Sequence, residues 1–179
     1  MRKLLTTVTA LLLAALAAPI QAFDPDVNDS FQLDVQKAII AIKKADPGIE
    51  AFFENAAGYA VFPSVGKGGF VIGAAYGKGL VIVDEKIDGY TSMTQGSIGL
   101  QAGGQKYAQF IFFRDDVALG HFKRGNFELG AQASAVAVTA GASADAAYDK
   151  GVAIFTQPAG GLMFEGSVGG QRFKYKPKE

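Results

Sequence analysis

The chain has 179 residues, with 17 basic against 17 acidic side chains, one histidine and no cysteine. The missing thiols exclude disulfides and thiolate metal sites. The even charge balance lacks the broad basic excess of a nucleic-acid binder.

Residues 1–22 read as an export signal: Arg2 and Lys3 at the start, an alanine- and leucine-rich apolar run, then small residues that offer cleavage sites. Ile20, Gln21 and Ala22 point to cleavage after Ala22, with an earlier site at Ala15, Leu16 and Ala17. The run is too short, and too broken by Pro19, to span a bilayer. Cleavage after Ala22 leaves a single domain over 23–179, with 15 basic and 17 acidic groups, and implies a bacterial periplasmic destination. Within the acidic lead, Asp24, Asp26 and Asn28 imitate a calcium loop. The imitation fails at Asp29, where glycine is needed, and at Val35, where glutamate is needed.

Residues 30–45 predict a helix, because Phe31, Val35, Ala38, Ile39 and Ile42 recur at the spacing of one apolar stripe. The other side carries Leu33, Lys37, Ile40 and Lys44, with Lys43 at its margin. Apolar anchors set among cations are what an interfacial helix presents; the alternative is ordinary packing with snorkelling lysines. Asp46 is placed to cap a second short helix with Pro47 at its first position, ended by Gly58, so helices occupy about 30–57. Ile49, Phe52, Phe53 and Ala56 would face the core.

Composition then changes. Only Gly48, of 23 glycines, precedes Gly58. Glycine at this density among β-branched and aromatic residues predicts a β-rich segment over 58–176. The expected strands are 59–62, 69–76, 80–84, 89–93, 97–105, 107–114, 127–138, 152–156, 162–169 and 171–175, with a turn of Pro63, Ser64, Gly66, Gly68 and Gly69 between the first two. Phe70, Ile72, Ala74 and Tyr76 would form a large apolar face, with Val71, Gly73, Ala75 and Gly77 on a nearly bare one. A short helix over 115–121 interrupts the strands, capped by Asp115 and ended by Gly125. The fold class is therefore α+β: a Gly-rich antiparallel sheet, strongly curved or barrel-like, with N-terminal helices packed on it.

The stretch GYAVFPSVGKGGFVIG followed by GKGLV, then GSIGLQAGGQ (96–105), FELGAQASA (127–135) and GLMFEGS (161–167), resembles the SYLF domain, a lipid-binding module. One departure is the segment Gly89, Tyr90, Thr91, Ser92, Met93, where many relatives have a Trp-Ser-Pro type sequence. The resemblance implies binding to acidic lipids. Some of its eukaryotic members also bind actin, a partner not expected in a bacterial periplasm.

The residues themselves offer little to catalysis. Gly73, Gly77, Lys78 and Gly79 fall one residue short of a phosphate loop and lack the following Ser or Thr, so no nucleotide is expected. His121 has no nucleophile partner in local spacing, and Asp115 and Asp116 are adjacent and diverge. No enzyme activity, cofactor or metal is expected. The C-terminal run places Arg172, Lys174, Lys176 and Lys178 on one side of an extended chain, opposite Phe173 and Tyr175. Such a row serves either an anionic surface or the protection of a strand edge. The expected lipid contacts are Leu33, Lys37, Ile40, Lys43, Lys44, Arg172, Lys174 and Lys176, on phospholipid or another acidic envelope lipid. The alternative is a structural or protein-interaction module that uses the sheet as a platform. An integral outer-membrane barrel is disfavoured by the basic C-terminal run and by helices that need a protein core.

Overall fold

The computed structural model describes residues 23–69, 72–98, 105–125, 127–130, 132–159 and 168–179. The expected signal segment and the motif at 161–167 lie outside them.

Helix α1 (Ser30–Ala45) starts where the Asp29 carboxylate accepts the N–H groups of Phe31 and Gln32, at 2.9 and 3.2 Å. Val35, Ile39 and Ile42 are buried, and Phe31 and Ala38 pack beside them, as the stripe predicts. A 3-10 turn (Pro47–Ile49) follows, then α2 (Glu50–Asn55). Asp46 does more than cap this turn. Its buried carboxylate accepts N–H groups from Gly48 at 3.2 Å, Gly141 at 3.3 Å and Ser143 at 2.6 Å. The helical corner is thereby tied to a loop nearly a hundred residues later. Phe23, the first residue after the expected cleavage site, is also buried among α1 and the sheet.

The strands are β1 (Gly58–Gly69), β2 (Ile72–Val83), β3 (Lys86–Ile98), β4 (Gln105–Phe113), β5 (Phe127–Glu128), β6 (Val136–Ala137), β7 (Val152–Pro158) and β8 (Arg172–Pro177), with α3 (Asp116–Lys123) after β4. They form one curled, half-barrel sheet in the order β5-β8-β3-β2-β1-β4-β7-β6. All pairings are antiparallel except that of β6 with β7. Both faces are covered in part. On the outer face α1 and α2 seal Tyr59, Val61, Leu80, Ile82, Phe110 and Phe112. On the inner face α3 brings Leu119 and Phe122 against Phe62, Phe113 and Phe173.

Three expectations need correction. Pro63 to Gly69 do not form a turn: β1 runs through them, and Gly69 pairs with Gly73. Pro63 is accommodated because the ladder is already interrupted there, its register shifting between Val61 and Ser64, and such a bulge also bends the strand. The strands expected at 69–76 and 80–84 are one strand, β2, and those at 89–93 and 97–105 join in β3 as far as Ile98. The long strand expected at 127–138 is reduced to β5 and β6, because the chain turns where Ala133 N–H donates to Gly130 O at 2.9 Å and alanines alone give the sheet little to bury.

The bare face of β2 is the buried one. Gly73, Ala75 and Gly77 point inward, while Ala74 and Tyr76 are exposed. Gly79 shows why: a Cβ there would lie 2.7 Å from Val61 O and 2.8 Å from the Phe62 ring. Glycine lets that ring pack directly against the strand.

Candidate functional site

Strand register builds a surface that no single stretch of sequence displays. Lys106 pairs with Gly66, Gly66 with Tyr76, Tyr76 with Thr94, and Thr94 with Arg172. Beside that row lies Ser64, Lys78, Ser92 and Lys174, and beyond it Leu80, Tyr90 and Lys176. Paired residues share a face. Leu80 is sealed beneath α1, so all three rows lie on the helix-bearing outer face. Where α1 ends its cover, that face carries Lys78, Lys106, Lys174 and Lys176, with Tyr76 at 51% and Tyr90 at 40% exposure. Lys78 and Lys174 are separated by two inter-strand spacings, about 10 Å between Cα atoms. Among the described residues, Lys78, Lys106 and Lys174 form no ion pair.

A groove runs between this face and α1. One part encloses about 620 Å³ and is lined by Phe31, Lys37, Ala38 and Ala41 of the helix and by Pro63, Tyr76 and Lys106 of the sheet, among others. A second part, about 700 Å³, continues from Phe31, Tyr76 and Lys78 to Tyr90, Lys174 and Lys176. The groove exists because α1 turns Ala38 and Ala41 toward a sheet that answers with Ser64, Gly77 and Ala108, leaving the wedge between them unfilled.

The expected contact residues meet different fates. Lys37 lines the groove and pairs with Asp34 at 3.2 Å. Ile40, 59% exposed, and Lys44 stand on the solvent side of α1, and Leu33 is half-buried. Lys43 is built into the fold: it pairs with Glu50 at 2.9 Å and lies 4.5 Å from the centre of the Phe53 ring. Arg172 pairs with Glu128 at 3.1 Å, and Lys176 reaches Glu179 at 3.8 Å. Lys174 and Lys176 project outward from β8 as the alternation predicts. The sequence drew no attention to Lys106, and Tyr90 entered only as part of the departing segment 89–93. Lys78, weighed in sequence against the phosphate-loop pattern, lies in mid-strand beside the basic row. The usable signal was the i, i+2 pairing of Tyr76 with Lys78, whose meaning depended on register.

Polar contacts under the inner face hold the rows in place. Gln109 and Gln171, both fully buried, exchange amide hydrogen bonds at 2.7 and 3.0 Å, and Gln171 also donates to Gln95 at 3.3 Å. This links β3 and β4 to the start of β8. The neighbouring Tyr107 phenol is pushed up to about 12, chiefly by burial. At the far end Tyr175 donates to Asp88 at 2.6 Å, and Lys123 of α3 pairs with the same carboxylate at 2.8 Å. Burial first, and then the Asp88 contact and charge, push the Tyr175 hydroxyl well above its ordinary range, so it remains a donor at neutral pH. Among the described residues, no group of three His, Cys, Asp or Glu side chains is placed to hold a metal ion. No helix among them is long and apolar enough to cross a membrane.

Fold and groove together define a class: an α+β half-barrel module that presents a cationic, tyrosine-edged surface. Residues 94–177 match the Ysc84 (SYLF) family, described as Las17-binding protein actin regulator. The match takes in Lys106, Lys174 and Lys176 and leaves out α1, β1 and β2. The chain is also 30% identical over 138 residues to Beta cell expansion factor A of Aeromonas veronii, covering 76% of this chain and 52% of that protein. It thus spans about half the length of the relative it matches. The SYLF family is linked to lipid binding.

Proposed function

We propose that this chain is a non-enzymatic module that docks reversibly on acidic phospholipid, or another acidic envelope lipid, in the bacterial periplasm after export. The observation that carries this reading is the gathering of Lys78, Lys106, Lys174 and Lys176 on one face with exposed tyrosines. Lys37 extends the contact onto α1, and Ile40 and Lys44 extend it along the outward side of that helix, with Leu33 behind them. Each cation near an anionic surface contributes about 1 kcal/mol. Four of them, before ordering costs, suffice for reversible docking and fall far short of permanent insertion.

Co-flotation of residues 23–179 with vesicles tests this. Anionic vesicles should carry the protein at low salt and release it as the screening length shortens; neutral vesicles should not carry it. Equal recovery on both, or recovery insensitive to salt, would contradict the proposal. The second reading, a protein-docking platform, draws on the same exposed Tyr76 and Tyr90, since tyrosine is enriched at protein interfaces. Absence of flotation at any salt would favour it.

A further inference from the structure

Lysines on an open sheet explain attraction to a charged surface. They do not explain an apolar groove. Phe31, Tyr76 and Pro63 wall a channel floored by Ala38, Ala41 and Ala108, and the cations stand at its rims. Lys106 stands beside one part of it and Lys174 and Lys176 beside the other, with Lys78 shared between the two. The acid in the lining, Asp34, is held by Lys37. Lined mostly by carbon and edged by Lys78, Lys106 and Lys174, which form no ion pair among the described residues, the channel is complementary to one kind of occupant, a narrow apolar chain ending in an anion. Its volume falls within the range of small-molecule sites. Two large side chains at its edges, Tyr76 and Tyr90, remain half-exposed as though awaiting cover.

We infer that the groove beside α1 binds one free single-chain anionic amphiphile, with its chain along Ala38, Ala41 and Tyr76 and its phosphate or carboxylate head between Lys78 and Lys174. This rests on the lipid reading but differs from it: a bilayer offers a plane of headgroups, whereas the groove takes a single chain. Each methylene fully buried tightens binding about fourfold, so chain length should govern affinity.

The test is calorimetric titration of residues 23–179 with dodecyl phosphate below its micellar concentration, beside butyl phosphate and dodecyltrimethylammonium. Dodecyl phosphate should bind one per chain, at least about 100-fold more tightly than butyl phosphate, and the cationic analogue should bind far more weakly. Ala41→Trp would fill the channel from an exposed position of α1. It should weaken dodecyl phosphate at least about tenfold, leaving the thermal midpoint unchanged. Ala159→Trp, also exposed, closes the groove from the sheet side and serves if the first variant misfolds. Dodecyl phosphate binding no tighter than butyl phosphate, or binding unaffected by both tryptophans, overturns the inference. Flotation without monomer binding ends this inference and leaves docking standing. Monomer binding without flotation supports the groove and removes the docking surface.

Discussion

Reversing the charge of Lys78 and Lys174 is the sharpest perturbation of the docking face. Both side chains are exposed and, among the described residues, unpaired, so the double variant Lys78→Glu/Lys174→Glu removes no contact that holds the sheet. Substitutions of that kind stay within about 0.5 kcal/mol in stability. On anionic vesicles each reversal deletes about 1 kcal/mol of attraction and adds a similar repulsion, near 4 kcal/mol for the pair. That corresponds to roughly a 1,000-fold loss of partitioning at low salt. The two sites lie about one screening length apart at 0.1 M salt, so the singles should add only approximately. Partitioning is read by titrating vesicles against a fixed protein concentration, and folding by circular dichroism. Lys43→Glu is the contrasting control. It breaks the Glu50 pair and the contact with Phe53 and should cost stability, while changing partitioning far less. If the double variant partitions like the parent, or if Lys43→Glu matches its loss, the docking face has been assigned to the wrong residues.

Further outcomes follow from individual positions. Leu33 is half-buried and Ile42 fully buried, so in chemical denaturation Leu33→Ala should cost about 1 kcal/mol and Ile42→Ala about 2–5 kcal/mol; equal costs would make Leu33 a core residue. Burial alone would raise the Asp46 carboxyl, but hydrogen bonds from Ser143, Gly48 and Gly141 outweigh it and hold the group below its ordinary value. A carboxyl lowered in the folded state stabilises above its unfolded pKa of about 3.8, and that stability is lost as pH falls through the lower folded value. Asp46→Asn should therefore destabilise at pH 7 by about 1–3 kcal/mol and show a shallower loss of stability on acidification. Gly79→Ala should lower the melting midpoint by the equivalent of about 1–3 kcal/mol, because its Cβ meets Val61 O, whereas Gly66→Ala, with nothing within 4 Å, should not.

Much of the fold was legible because its signals are local. The stripe of Val35, Ile39 and Ile42, the caps at Asp46 and Asp115, and the alternation in β8 each act within a few residues. What failed was long-range or compensated. Pro63 and its glycine-rich neighbours carry turn chemistry, yet a bulge and two flanking strands, β2 and β4, keep them extended. The alanines after Phe127 alternate like a strand but bury too little to hold one. The same logic governs the candidate site. Each lysine is an ordinary surface residue in sequence, and only the pairing of Ser92 with both Lys78 and Lys174 makes neighbours of residues nearly a hundred positions apart.

The absence of cysteine makes one direct measurement clean, since any introduced thiol is labelled alone. Thr94 is exposed in the row between Tyr76 and Arg172, and Val117, 80% exposed, sits on α3, which packs against the opposite face of the sheet. Spin-labelled Thr94→Cys and Val117→Cys should be compared on anionic vesicles for accessibility to a lipid-soluble and a water-soluble relaxation agent. The docking account predicts that the label at 94 moves into the lipid interface while the label at 117 stays in water. Immersion at 117 with position 94 left in water would contradict it.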